Sequence, residues 1–258
     1  MTETPAPSSF RLAYVPGVTP SKWARVWGER LPDTRLELVL VQAGAGEPAL
    51  RAGDADAGLV RLPVDKDHLH AIPLYTETTV VVMPKDHRLA ESAEVPVAEL
   101  ADELVLHPQD DVLGWPEQPP GQAAKERPLT TKDAVELVAA GVGVVLMPQS
   151  LARLHHRRDL TYRPVPEAEA PQSQVALAWL RDRDSELVEE MIGIVRGRTV
   201  NSSRGSTATA AANQAPKRQQ PAARKQGQQQ PQKQPRHQKP AARGGKPASR
   251  RGKPGRRG

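Results

Sequence analysis

The 258-residue chain has no cysteine, which excludes disulfides, thiolate metal sites and cysteine nucleophiles. Aromatic residues are scarce: one Phe, three Tyr and four Trp, so any core rests mainly on aliphatic side chains. Long apolar runs are absent as well. The longest, around Thr79–Met83 and Val142–Met147, are strand-sized and far too short to span a bilayer. Met1–Phe10 is polar with two prolines and lacks the basic start and apolar run of a secretory signal. These absences predict a soluble, cytoplasmic chain with no membrane association.

Acidic residues are missing from one end only. Asn201–Gly258 carries 15 Lys and Arg and no Asp or Glu, whereas residues 1–200 carry 21 basic against 30 acidic residues. The formal balance is therefore −9 before residue 201 and +15 after it. The pI of about 9.7 is a property of the tail. Beyond Arg198 there is no Leu, Ile, Met, Phe, Trp or Tyr. Such a segment buries too little apolar surface to offset the entropy of ordering, so residues 199–258 are expected to be a disordered basic tail.

Residues 1–9 read as a flexible leader, and residues 10–198 alternate strand and helix signals. Phe10–Val15 reads as a strand closed by Pro16-Gly17. Thr19-Pro20 reads as an N-cap with proline at the first helical position, followed by Trp23, Val26, Trp27 and Leu31 at helical spacing. Leu36–Val41 reads as a strand buried on both faces, Glu47–Arg51 as a short helix stopped by Gly53, and Ala57–Val60 as a third strand. That β-α-β-α-β rhythm predicts a parallel sheet. Further strands are expected at Ala71–Tyr75, Thr78–Met83, Glu103–His107, Val142–Met147, Leu160–Val165 and Gln174–Leu180. Helices are expected at Val97–Ala101, Thr131–Ala140, up to His155, and Ser185–Arg196. Pro108–Pro128, with five prolines, reads as a loop.

Four segments, in order, resemble the effector-binding domain of LysR-type transcriptional regulators. They are LRAGDADAGLVRLP (Leu50–Pro63), PLYTETTVVVMPKDHRLA (Pro73–Ala90), LADELVLHP (Leu100–Pro108) and LVAAGVGVVLMPQSLA (Leu137–Ala152). Arg88 stands where the family usually has proline. The resemblance spans roughly residues 10–198. It implies an α/β, two-lobed, periplasmic-binding-protein-like fold with crossover strands, lobe I at about 10–78 and 166–198, lobe II at about 79–165. It also implies a small-molecule effector between the lobes and, by analogy, a homodimer. Only nine residues precede the first strand, so the family's N-terminal winged helix-turn-helix is expected to be missing. The family's helix after His107-Pro108 is not expected in so Pro-rich a stretch.

Ligand candidates follow from helix N-termini and strand ends, where unpaired N–H groups suit an anion. Thr19, and more weakly Ser21, are nominated as contacts to an anionic metabolite, against a plain capping role. Thr130 and Thr131 repeat that argument from the other lobe. Gln42 and His107 end strands, and Arg61 offers a cation; they are weighed against a solvated loop glutamine, a satisfied structural histidine and a surface arginine, the more usual roles of His and Arg. Asp65–His70 tempts a metal reading, but its spacing matches no known ligand set, and no metal or cofactor is expected. G-x-S-x-G, P-loop and H-E-x-x-H motifs are absent, and Gly44-x-Gly46 lacks the third glycine of a dinucleotide fingerprint, so an enzyme is not expected. Trp115 either packs over the second lobe or stacks on a ligand.

In the tail, Arg251-Gly-Lys-Pro254 resembles the core of an AT-hook. Arg243, Lys246, Arg250, Arg251, Lys253, Arg256 and Arg257 are nominated for DNA or RNA phosphates, against a merely solubilising role. No aromatic residue interleaves them for base stacking.

Overall fold

The computed structural model describes residues 9–198. The leader before residue 9 and the whole basic tail, including its seven nominated cations and its expected disorder, lie outside the described residues.

The chain builds two five-stranded sheets. β1 (Ser9–Tyr14), β2 (Arg35–Leu40) and β3 (Ala57–Arg61) are parallel, linked by α1 (Ser21–Arg30) and α2 (Gly46–Ala52). Ser9, assigned above to a leader, is already part of β1. β4 (Leu69–Glu77) runs almost directly into β5 (Thr79–Pro84), which enters the second sheet. There β6 (Leu104–Leu106), β7 (Gln122–Ala123) and β8 (Val144–Pro148) are parallel, and β5 lies antiparallel between β8 and β9 (Leu160–Pro164). β10 (Ser173–Leu180) returns to the first sheet, antiparallel to β3 and β4, and α5 (Glu186–Val195) packs on it. The orders are β2-β1-β3-β10-β4 and β7-β6-β8-β5-β9. The half on each sheet is called here the first and the second lobe.

The strands β3, β5, β8 and β10 are buried on both faces because the middle of each sheet is covered on both sides. In β5, Val80 and Val82 face one buried cluster with Ala134, Val138 and Met147, while Val81 and Met83 face another with Leu89, Leu100 and Leu146. The period of two puts alternate side chains into opposite cores. In the first lobe, Phe10 and Leu12 join Trp27, Leu59, Leu177 and Met191, while Ala13 packs with Leu50 and Val60 on the other face. Phe10 stacks on Trp27 with centroids 4.8 Å apart. Trp23, Trp27 and Trp179 are core residues, as their spacing implied. Trp115 packs against the second-lobe core.

Two sequence expectations are corrected. β2 is an edge strand, with Leu38 and Leu40 43% and 62% exposed. Its apolar composition does not report two-sided burial: Leu38 and Leu40, two positions apart, share a face that nothing among the described residues covers there, and Leu40 borders the cleft described below. Thr19 is not a helix cap: Pro20 occupies that position in helical geometry, and no side chain caps α1. The short helix expected at Val97–Ala101 is present, as a 3₁₀ helix over Val97–Leu100. Elsewhere the signals held. Gly53 ends α2 in the left-handed region at φ 75°, a conformation glycine adopts without a Cβ clash. The Pro-rich stretch from 108 to 128 forms no helix, only the two-residue β7.

Candidate functional site

Between the lobes lies a cleft of about 680 Å³. Its first wall is the turn after β1, from Pro16 to Thr19, with Tyr14, Leu40 and Ala43. These residues sit at the carboxyl ends of β1 and β2, where parallel α/β sheets leave a crevice. The second wall is Asp110 after β6, Thr130–Lys132 at the start of α3 (Thr131–Ala139), and Ser150, Leu151 and Arg153–His155 on and after α4 (Gln149–Leu154). Leu40 and Leu154 are well exposed large apolar residues that border this cleft.

Beneath the cleft a buried polar cluster joins the lobes. Arg61, at the end of β3, donates from Nε to Glu77 at 2.8 Å and to Ser173 at 3.0 Å, and from its terminal nitrogens to the Pro16 carbonyl at 2.9 Å and Ser150 at 3.2 Å. Ser173 donates to Glu77 at 2.7 Å, and Ser150 donates to it as well. The Arg61 and Glu77 side chains are each only 4% exposed. A buried charge pair is tolerable when further hydrogen bonds satisfy it, and here Pro16, Ser150 and Ser173 do so with five. Glu77 and Ser173 sit where the chain leaves and re-enters the first sheet, and Ser150 belongs to the second lobe. The cluster therefore spans the hinge. Gly17 marks the closest approach nearby: its φ is 85°, and a Cβ there would lie 2.6 Å from Ser150 Oγ and 3.2 Å from Leu151.

The N-terminus of α3 is doubly finished. The Thr130 hydroxyl accepts from Asp133 N at 3.1 Å, and Asp133 accepts from Thr130 N at 3.1 Å, a capping box. Asp110 Oδ1 accepts from Thr131 N at 2.6 Å and from its hydroxyl at 2.8 Å. His155 has its pKa lowered, chiefly because burial disfavours its cation; Lys132 adds to this and Asp110 opposes it.

Of the seven residues nominated from sequence, Thr19, Thr130 and Thr131 come together in the cleft. Ser21 and Gln42 are exposed and not among its lining residues. Arg61 is neither a surface side chain nor part of the lining, but the centre of the hinge cluster. His107 pairs with Asp111 at 3.4 Å. Asp110, Ser150 and His155 were missed. Only Ser150 lay in a recognisable motif; Asp110 reaches Thr131 across 21 positions, beyond any local periodicity. In the Asp65–His70 segment, Asp65 accepts from Asp67 N at 2.9 Å and contacts His68 and Arg51. These bonds, in that order of weight, lower its pKa to about 2. Its oxygens are thus engaged in the loop. No helix among the described residues is long and apolar enough to cross a membrane.

The LysR substrate binding domain model matches residues 9–199. The chain is 28% identical over 179 residues to the Hca operon transcriptional activator HcaR of Escherichia coli, covering 66% of this chain and 60% of that one. It is 32% identical over 161 residues to the HTH-type transcriptional regulator CatR of Pseudomonas putida, covering 57% and 55%. It thus spans about three fifths or less of these relatives' length. Among solved structures, the oxidised form of OxyR has a TM-score of 0.61 at 22% identity, covering 74% of this chain and 95% of that one. The BenM effector binding domain with its effector benzoate has 0.59 at 21%, with the same coverage.

Proposed function

From the premise that this chain belongs to the LysR substrate-binding-domain family, we propose that it is an effector-sensing module of transcription regulation, binding a small molecule in the interlobe cleft. The observation that carries this reading is the cleft itself, lined from both lobes and standing over a hinge that joins them. We read Thr19 as a contact at the α1 N-terminus, where no side chain caps the helix and its N–H groups suit an acidic group. Ser21 supports the same end more weakly, and Thr130 lies across from it. The BenM domain's effector, benzoate, makes small aromatic acids a reasonable first set of probes. The family context supports a cytoplasmic, non-enzymatic protein that pairs with a second copy.

Thermal unfolding of the full chain against a panel of small metabolites tests this. A ligand present at about 100 times its dissociation constant adds about 2.7 kcal/mol. A saturable rise in melting temperature is expected. Cooperative unfolding that no compound shifts would remove the reading.

A second reading rests on the charge of the tail: 15 cations and no acids after residue 200. Cations on such a segment displace counterions from nucleic acid, with steep salt dependence. On this reading the tail supplies non-specific DNA or RNA affinity. Deleting 201–258 should abolish binding to a generic duplex, and equal binding by the shortened chain would overturn it.

A further inference from the structure

The two helices that begin at the cleft are finished differently. α1 has no side-chain cap, whereas α3 has a capping box and, in addition, the Asp110 carboxylate on Thr131. Asp110 comes from the Pro-rich segment, and it lines the cleft. A ligand acid approaching this wall would meet a like charge. It would also find the Thr131 N–H and hydroxyl already engaged at 2.6 and 2.8 Å. Lys132 and Arg153 also line this wall, but both are exposed long side chains whose attraction is weakened by solvent. The preoriented donors are those on Thr131. Both of their bonds fall on Oδ1, and no hydrogen bond to Oδ2 is found among the described residues.

We propose that Asp110 fills the anion seat of the second lobe from within, so that the effector presents a hydrogen-bond donor, such as an amine, amidine or hydroxyl, to Asp110 Oδ2. Any acidic group of the effector then belongs at the first wall. The effector clause rests on the reading above; the seat itself does not.

Two arms test this on the full chain. In the first, Asp110→Ala empties the seat, and sodium acetate is titrated against sodium chloride at matched ionic strength. Acetate should raise the melting temperature of Asp110→Ala saturably and by more than that of the native chain, in which only the first wall is open to an acid, while uncharged acetamide should not separate the two proteins. An equal response of both proteins, or no response of the variant, overturns the proposal. Should Asp110→Ala fold poorly, Asp110→Ser leaves the seat open to the same titration. In the second arm, benzamidine and benzoate are compared by calorimetry. Asp110→Ala should lower the benzamidine-to-benzoate affinity ratio by roughly tenfold or more, the size of one charge-assisted hydrogen bond. A ratio that Asp110→Ala leaves unchanged, or raises, overturns the proposal. If no small molecule shifts the native protein, the effector reading falls, and the acetate arm decides the role of Asp110 in either case.

Discussion

The two walls of the cleft are made by the same device, a strand end leading to a helix start, yet they differ in chemistry. The first wall is a backbone turn, Pro16 to Thr19, with apolar neighbours and an uncapped helix behind it. The second carries Asp110, Lys132, Arg153 and His155, and side chains accept from two of the first N–H groups of its helix, those of Thr131 and Asp133. Two helices with similar Thr-led starts in the sequence are finished differently in the structure, because only α3 recruits a carboxylate, Asp110, from a distant loop.

The largest expected effect is at the cluster that holds the walls together. Arg61→Ala leaves Glu77 buried without its cation and should cost about 3–5 kcal/mol in denaturant unfolding. A loss under about 1 kcal/mol would show that the cluster does not join the lobes. Gly17→Ala comes next. It places a side chain at φ 85° and against Ser150, and should cost about 1–3 kcal/mol. A neutral result would mean that the walls do not approach one another there.

The helix starts give a direct contrast. Thr130→Ala removes a cap and should cost about 1 kcal/mol. Thr19→Ala should stay within about 0.5 kcal/mol, since Thr19 caps nothing. Equal losses would erase the difference between the walls.

The smallest effect is a pH dependence on the second wall. His155 titrates in the unfolded chain near its ordinary 6.5 and lower when folded. Below that pH the unfolded chain takes up a proton that the folded chain resists, so stability falls as pH drops below about 6.5. His155→Gln should flatten the stability–pH profile there. An unchanged slope would assign it to another group.

Much of the fold was legible because its signals are local. The β1-α1-β2-α2-β3 rhythm, the apolar strands β5 and β8, and the Thr130 cap each depend on residues within a few positions. β2 misled because composition records apolar side chains and not whether anything packs over the face they occupy. Thr19 misled because Thr-Pro suits either a cap or the residue before one, and the turn at Pro16–Gly17 decides which. Less of the cleft was legible: of its 16 lining residues, Thr19, Thr130 and Thr131 were nominated, all as residues near helix starts. Arg61 was nominated for an anion that turned out to be Glu77, 16 positions away.

By itself, then, the sequence determined the alternating α/β elements, the missing helix in the Pro-rich stretch and the charge division at residue 200, since each follows from side-chain type and near-neighbour spacing. Only the tertiary structure decided which charges are neutralised within the protein. Arg61 with Glu77, Ser173 and Ser150, and Asp110 with Thr131, are brought together by the chain crossing between two sheets. Electrostatic and hydrogen-bond partnership depends on distance in space, which separation along the chain does not report.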